Sequence, residues 1–314
     1  MSSQNLITKD EIIGAFDNGK SSKTNPLTRE LGISEVLYMI GGFIVFIGVA
    51  VLIGQNWDTF NAFTRILVTL GFGIVSYMVG VLFNKEEKHG LVSYAFHLIA
   101  ALIIPLGLGV VVDQAGFDVA SAISQSIIAA ILLMTYVASY FVLKKTIFTF
   151  FSIAFATWLF FSFTNLLIGS NPYFVDINFY EYRFLSVGLS YLFLGYYFSS
   201  TNQADLKGAL CGFGNLFFLG SAFALGGWQP SQNIFWEIVF PVLVGVALYL
   251  SVRLKNRSFL VFGTIFLMIY ILKITGEYFS GTLGWPLSLM ICGIVLIGVG
   301  YYAFTLNRKY LTSK

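Results

Sequence analysis

LVSYAFHLIAALIIPLGLGVVV, residues 91–112, decides the fold: 22 consecutive residues contain no Asp, Glu, Lys or Arg. A helix rises about 1.5 Å per residue and the hydrocarbon core of a bilayer is about 30 Å thick, so about 20 apolar residues make one crossing. Nine further apolar stretches are expected to cross as well, near 36–54, 63–83, 119–143, 146–168, 184–199, 208–226, 234–252, 258–275 and 285–306, with Arg65, Glu237 and Lys273 the charges within them. Composition agrees. The 314 residues are 57% hydrophobic and only 11% charged, with a mean hydropathy of +0.81. Soluble domains carry about 25% charged residues, so this chain lacks the charge to cover a globular surface, and an ordinary soluble enzyme is excluded. The expected fold is all-α and polytopic: ten transmembrane helices in one membrane domain over residues 35–307, with no room for a second soluble domain.

Charge placement orients the spans. Lys9, Lys20, Lys23 and Arg29 precede the first; Lys85 and Lys88, Lys144 and Lys145, Lys207, and Arg253, Lys255 and Arg257 occupy the even-numbered loops; Arg308, Lys309 and Lys314 form a basic tail over 308–314. These are 15 of the 18 basic residues, and the other three, Arg65, Arg183 and Lys273, flank odd-numbered loops. Basic loops stay on the cytoplasmic side, which places both termini in the cytoplasm, as in a bacterial inner membrane. Trp57, Trp228, Trp236 and Trp285 fall at or beside the outer loops, where an indole keeps its ring apolar and its N–H wet. Trp158 lies in mid-span, and core packing with its N–H bonded to a neighbouring helix is expected there. Residues 1–34 are polar and no small-residue cleavage site follows, so the first span is expected to act as its own insertion signal.

The spans are expected to pair as five in–out–in hairpins, because the outer connections Gln55–Ala62, Asp113–Asp118 and Gly226–Asn233 are short, and short connections force antiparallel neighbours. Residues 5–18 read as an amphipathic cytoplasmic helix, with Thr8 and Glu11 as a capping box and Ile7 against Ile12; residues 19–28 read as a linker. Glycines spaced for close helix packing recur at Gly41/Gly48, Gly73/Gly80, Gly293/Gly300 and Gly208/Gly212. Pro105 and Pro241 lie inside spans, which membrane helices tolerate.

The first hairpin, Gly41-Gly42-Phe43-Ile44-Val45-Phe46-Ile47-Gly48 through Gln55-Asn56-Trp57-Asp58 to Arg65-Ile66-Leu67, resembles the predicted bacterial membrane proteins of the DUF2157 family, a domain of unknown function. A glycine-rich first span, an Asn-Trp loop, an Arg opening the second span and a short preceding helix carry the resemblance over residues 5–83. It implies an integral membrane protein of bacterial type and brings no catalytic residues with it.

A charge at the bilayer centre costs about 2.5–3.5 kcal/mol on insertion scales, and no Asp, Glu, Lys or Arg occupies the middle of any span. Arg65, Glu237 and Lys273 lie near outer span ends, and Asp58, Asp113, Asp118, Asp176, Glu181 and Glu277 stand in outer loops. Asn56, Trp57, Asp58, Arg65, Glu237, Lys273 and Glu277 are therefore the candidate outer vestibule, with Asp58 near Arg65 and Lys273 four residues before Glu277; the competing reading is local interfacial anchoring. Asn165 and Asn215 are the candidate buried polar residues, weighed as interhelical hydrogen bonds or ligand contacts. Cys211 and Cys292 show no CxxC pattern, His97 has no carboxylate or thiol near it in sequence, and no catalytic, metal or nucleotide motif is present. No enzyme activity and no cofactor are expected, and the net charge of +3 is too small for a nucleic-acid surface. The expected partners are the bilayer and a small-molecule or lipid ligand. The leading function is a transporter or permease for a small or lipophilic solute without a charged mid-membrane relay. The alternative is a non-transporting structural or assembly protein whose N-terminal helix docks a partner.

Overall fold

A computed structural model describes residues 53–83, 90–168 and 177–279, with scattered helical positions between 44 and 51 and between 286 and 301. The described elements are helical, without a strand among them. They are α1 (Ala62–Phe83), α2 (Gly90–Gln114), α3 (Ala122–Leu143), α4 (Thr146–Ile168), α5 (Ile177–Phe198), α6 (Leu206–Leu225), α7 (Ile234–Arg253) and α8 (Arg257–Phe279). Seven of them, all but α5, are long and apolar enough to cross a membrane. Residues 5–18, the linker and the basic tail lie outside the described residues, as do most of the spans expected at 36–54 and 285–306.

Local chemistry sets the helix ends. Asn61 Oδ1 accepts the Thr64 N–H at 2.8 Å at the start of α1, Ser121 Oγ accepts the Ser124 N–H at 3.2 Å before α3, and Asn233 Oδ1 accepts from Phe235 and Trp236 before α7. Each satisfies a first-turn amide that has no partner within its helix. One boundary differs markedly from expectation. The sixth span is expected from residue 184, but α5 begins at Ile177, because Glu181 and Arg183, read as loop and flanking charges, stand inside the helix. Within α1, residues Leu67–Gly71 widen into a π-turn, and a Cβ on Gly107 of α2 would lie 2.6 Å from the Leu70 backbone nitrogen and Cα.

The expected neighbours meet, since α2 touches α3 and α6 touches α7, but a second set of pairs packs more closely. The closest packing does not run across the outer connections; it runs across the basic ones, joining α1 to α2, α3 to α4, α5 to α6 and α7 to α8. Two causes are visible. The connections after α3 and α7 are very short and each turns on a lysine in the left-handed region, Lys144 and Lys255, both at φ 50. Such tight turns hold the flanking helices side by side. Secondly, the glycines that permit near backbone contact lie within these pairs. A Cβ on Gly188 of α5 would sit 2.8 Å from Phe218 Cα of α6, and Gly73, Gly80, Gly195, Gly214 and Gly263 face the partner helix equally closely. Without a side chain in the way the backbones approach and gain dispersion contacts, which is the main source of helix association where water exclusion adds little. The Gly208/Gly212 pair, by contrast, is not used so: nothing lies within 4 Å of a Cβ on Gly208, and the nearest atom to one on Gly212 is Phe262 at 3.9 Å.

Two apolar cores result. Ala101 of α2, Ile128, Leu132 and Tyr136 of α3 and Phe148, Phe151 and Phe155 of α4 form one. Cys211, Leu219 and Ala222 of α6, Phe240, Val244 and Ala247 of α7 and Phe259 and Phe266 of α8 form the other. Between them α4 and α5 are stitched by side chains: Thr157 Oγ1 and Tyr191 Oη share a hydrogen bond at 2.8 Å, and the rings of Phe161 and Phe184 lie 4.7 Å apart. Trp158 packs against the first core and donates from Nε1 to Gln125 Oε1 of α3 at 2.8 Å, the interhelical bond its mid-span position calls for. Large apolar side chains such as Phe141, Val142 and Leu167 point outward at 69–79% exposure, as helices solvated by lipid tails require.

Candidate functional site

Three helix ends and one loop converge on Lys273. Glu237 stands in the first turn of α7, Lys273 and Glu277 lie one turn apart near the end of α8, and residues 226–233 connect α6 to α7 above them. Lys273 Nζ donates to Glu237 Oε1 at 3.1 Å and stands 3.7 Å from Glu277 Oε2. All three side chains are at most 9% exposed. The rings of Phe223 and Trp228 lie 5.8 and 5.7 Å from the ammonium, within the range of cation–π attraction. Glu277 Oε1 accepts the backbone N–H of Gln229 at 3.3 Å, Tyr270 Oη donates to the Glu237 carbonyl at 2.9 Å, and the Gln232 amide meets Tyr278 Oη at 3.2 Å. The loop is thus tied to α8 by two side chains. Gly227, at φ +64, turns the loop where a Cβ would fall 3.0 Å from the Ser231 carbonyl; only glycine takes that conformation without strain.

Beside the same loop lies a pocket of about 480 Å³. Asn178 of α5, Leu225 of α6, Gly227, Ser231 and Gln232 of the loop, Asn233 and Phe235 of α7 contribute to its wall, and none of the described lining residues is charged. Asn233 Oδ1 is occupied in capping α7 and the Gln232 amide in bonding Tyr278. The Asn178 amide makes no hydrogen bond among the described residues.

The remaining vestibule candidates form a separate group. Residues Trp57–Thr59 make a 3-10 turn, and Arg65 Nε donates to the Trp57 carbonyl at 3.2 Å while its guanidinium lies 5.2 Å from the Trp57 ring centre. The expected approach of Asp58 to Arg65 does not occur as an ion pair: the turn presents the carbonyl and ring of Trp57 to the arginine and leaves Asp58 exposed. Asn56, also exposed, accepts the Thr59 hydroxyl at its carbonyl at 2.7 Å. Among the described residues no hydrogen bond or ion pair joins Trp57, Asp58 or Arg65 to the Lys273 group.

Of the buried polar candidates, Asn165 bonds between helices: its Oδ1 accepts from Arg183 Nη1 at 2.7 Å. Asn215 does not. At 1% exposure its Nδ2 donates to the Cys211 carbonyl at 2.7 Å, one turn back in its own helix. The neighbouring Gly214 brings α5 so near that a Cβ there would lie 2.9 Å from the Leu192 side chain, and the Asn215 amide folds back along α6. His97, 2% exposed, has Nδ1 2.7 Å from the Ser93 carbonyl, which makes Nδ1 the protonated nitrogen, and packs edge-on to Phe148 and Tyr77.

Arg183 is the residue that sequence reasoning missed. It is 4% exposed, and Nη1 also donates to Thr164 Oγ1 at 2.9 Å and to the Phe161 carbonyl at 3.2 Å. Phe161, Phe179 and Tyr180 place their rings 4.5–5.1 Å from the guanidinium carbon. Neutral acceptors and aromatic faces hold the cation, with no carboxylate in ion-pairing distance among the described residues. The available signal is the aromatic run Phe179-Tyr180 just before the arginine.

Residues 6–145 match the model of a family described as predicted membrane protein (DUF2157), so the likeness read from residues 5–83 extends to the connection between α3 and α4. No curated protein and no solved structure is detectably similar to the chain. The Lys273 group and its pocket lie beyond the matched part, and their chemistry rests on their own geometry.

Proposed function

We propose that this multi-pass membrane protein is permease-like and takes a small polar solute at the outer end of its helices. The pocket of about 480 Å³ beside the α6–α7 loop carries the reading. Pockets of about 300–1,000 Å³ hold small molecules, with apolar walls and a few polar groups that fix orientation. Leu225 and Phe235 supply the walls here, and Asn178 and Ser231 the hydrogen-bonding groups. The described part of the lining is uncharged, which favours a neutral solute over a charged one. Because the loop bonds α8 through Glu277 and Tyr278, an occupant that displaces the loop acts on α7 and α8 together, a coupling that a carrier needs.

In this reading the chain crosses a bacterial inner membrane ten times over residues 35–307. Both termini and the basic connections are cytoplasmic, and residues 5–18 lie on the inner surface. The charges within the helices support it: Arg65, Glu181, Arg183, Glu237 and Lys273 all stand within about two turns of the ends away from the basic connections. Any movement of solute then proceeds without a charged relay at mid-membrane. The test is uptake into proteoliposomes of a panel of labelled polyols, sugars and amides. Flux of at least one solute is expected, with Asn178→Leu abolishing it and Phe141→Leu on the lipid face leaving it intact. No flux and no solute-induced change in thermal stability across the panel would overturn the reading.

A further inference from the structure

In the Lys273 group two carboxylates face one ammonium, so the formal charge is −1. No second cation lies in ion-pairing distance of Glu237 or Glu277 among the described residues. Glu277 is the deficient member. Its side chain is 7% exposed, Oε1 takes the Gln229 N–H, and Oε2 accepts no hydrogen bond, with Lys273 Nζ at 3.7 Å beyond bonding reach. A buried carboxylate oxygen without a partner forfeits its full desolvation energy, and an uncompensated buried charge forfeits more. The other groups facing it do not make up the balance. Tyr270 Oη is spent on the Glu237 carbonyl and Tyr278 Oη on Gln232. Arg183, the other buried cation among the described residues, is enclosed by its own acceptors and rings.

We infer that the Glu237–Lys273–Glu277 cluster binds one further monovalent cation against Glu277 Oε2, either an alkali ion or the ammonium group of a small amine. One positive charge neutralises the group, whereas a divalent ion would reverse its sign. Hard carboxylate oxygens suit both candidates, and the faces of Phe223 and Trp228 already favour positive charge on this side of the loop. Entry is past Gln229, which is exposed and covers the carboxylate with a single 3.3 Å bond. The site goes beyond the solute reading and does not depend on it.

The experiment uses the full-length protein purified in detergent, without solute, at constant pH and ionic strength. Thermal midpoints are compared in sodium, lithium, potassium and methylammonium chloride against N-methylglucamine chloride, whose cation is too bulky to enter. A saturable rise in at least one salt is expected; a response to alkali ions alone identifies an ion site, and one to methylammonium alone an amine site. Glu277→Gln keeps the acceptor for Gln229 and should raise the half-saturating concentration at least tenfold. Glu181→Gln, which alters another carboxylate with an unpartnered Oε2, should leave the response unchanged. An identical midpoint in all five salts overturns the proposal from the wild type alone, even if Glu277→Gln fails to fold. A response that persists in a folded Glu277→Gln overturns it too.

Discussion

Replacing Lys273 by methionine tests the physical account of the outer cluster most directly. Methionine keeps the length and most of the volume of the lysine stem and deletes only the charge. The ammonium stands 3.1 Å from one carboxylate and 3.7 Å from the other. At an effective dielectric of about 20 those separations correspond to attractions of about 5 and about 4 kcal/mol, offset by the cost of desolvating all three groups. Removing one partner of a buried ion pair costs about 3–5 kcal/mol, and here it orphans two carboxylates at once. Lys273→Met should therefore destabilise the protein by about 3–5 kcal/mol. Glu237→Gln should cost less, about 1.5–3 kcal/mol, since the lysine keeps Glu277. The double variant is decisive. With Glu237 neutralised, only one carboxylate is left unpaired, so Lys273→Met/Glu237→Gln should be more stable than Lys273→Met by about 1–3 kcal/mol. Denaturant titration in detergent, read by a thiol-reactive fluorophore on a Cys292→Ser background, follows Cys211, which is 3% exposed and labels on unfolding. A Lys273→Met variant within about 0.5 kcal/mol of wild type, or a double variant no better than the single, would refute the reasoning.

Three further outcomes are expected from the same assay. Gly188→Ala forces a methyl against the Phe218 backbone and should cost about 1–3 kcal/mol by overpacking, whereas Gly208→Ala meets nothing and should gain up to about 1 kcal/mol. Arg183→Lys replaces a planar donor seated among three rings and three acceptors with a point charge, and should lower stability by about 2 kcal/mol, with Asn165→Leu reproducing part of the loss. Trp158→Phe leaves Gln125 Oε1 without its donor and should cost about 1–3 kcal/mol; Trp158→Phe combined with Gln125→Leu should recover part of it.

What can be read from the chain itself depends on one-dimensional quantities. The length of each uncharged run is enough to mark a membrane helix, because unsatisfied backbone groups are costly in hydrocarbon whatever the neighbours are. That logic locates α1 to α4 and α6 to α8 to within a few residues. It also sets Lys273 beside Glu277, since residues four apart share a helix face. It fails where tertiary contacts offset the cost of a charge. Run length puts Glu181 and Arg183 outside the sixth span, yet α5 contains both; for Arg183 the cost is offset by Asn165, Thr164 and the Phe161 carbonyl on α4, which satisfy the guanidinium.

The long-range arrangement is not available in that form. Spacing marks the glycines as packing positions but leaves their partners open, and loop length points across the outer connections, whereas the closest packing runs across the basic ones. The observed pairs follow from backbone approach at Gly73, Gly107, Gly188 and Gly214 and from the two left-handed lysines, each a property of two segments meeting in space. Glu237 is 36 residues from Lys273 in the chain, and only the packing of α7 against α8 makes them an ion pair. Sequence alone determined that this is a bundle of apolar helices with its charges kept to their ends, because the bilayer acts on every residue separately. Tertiary structure decided which of those charges meet, because pairing energy exists only at contact distance.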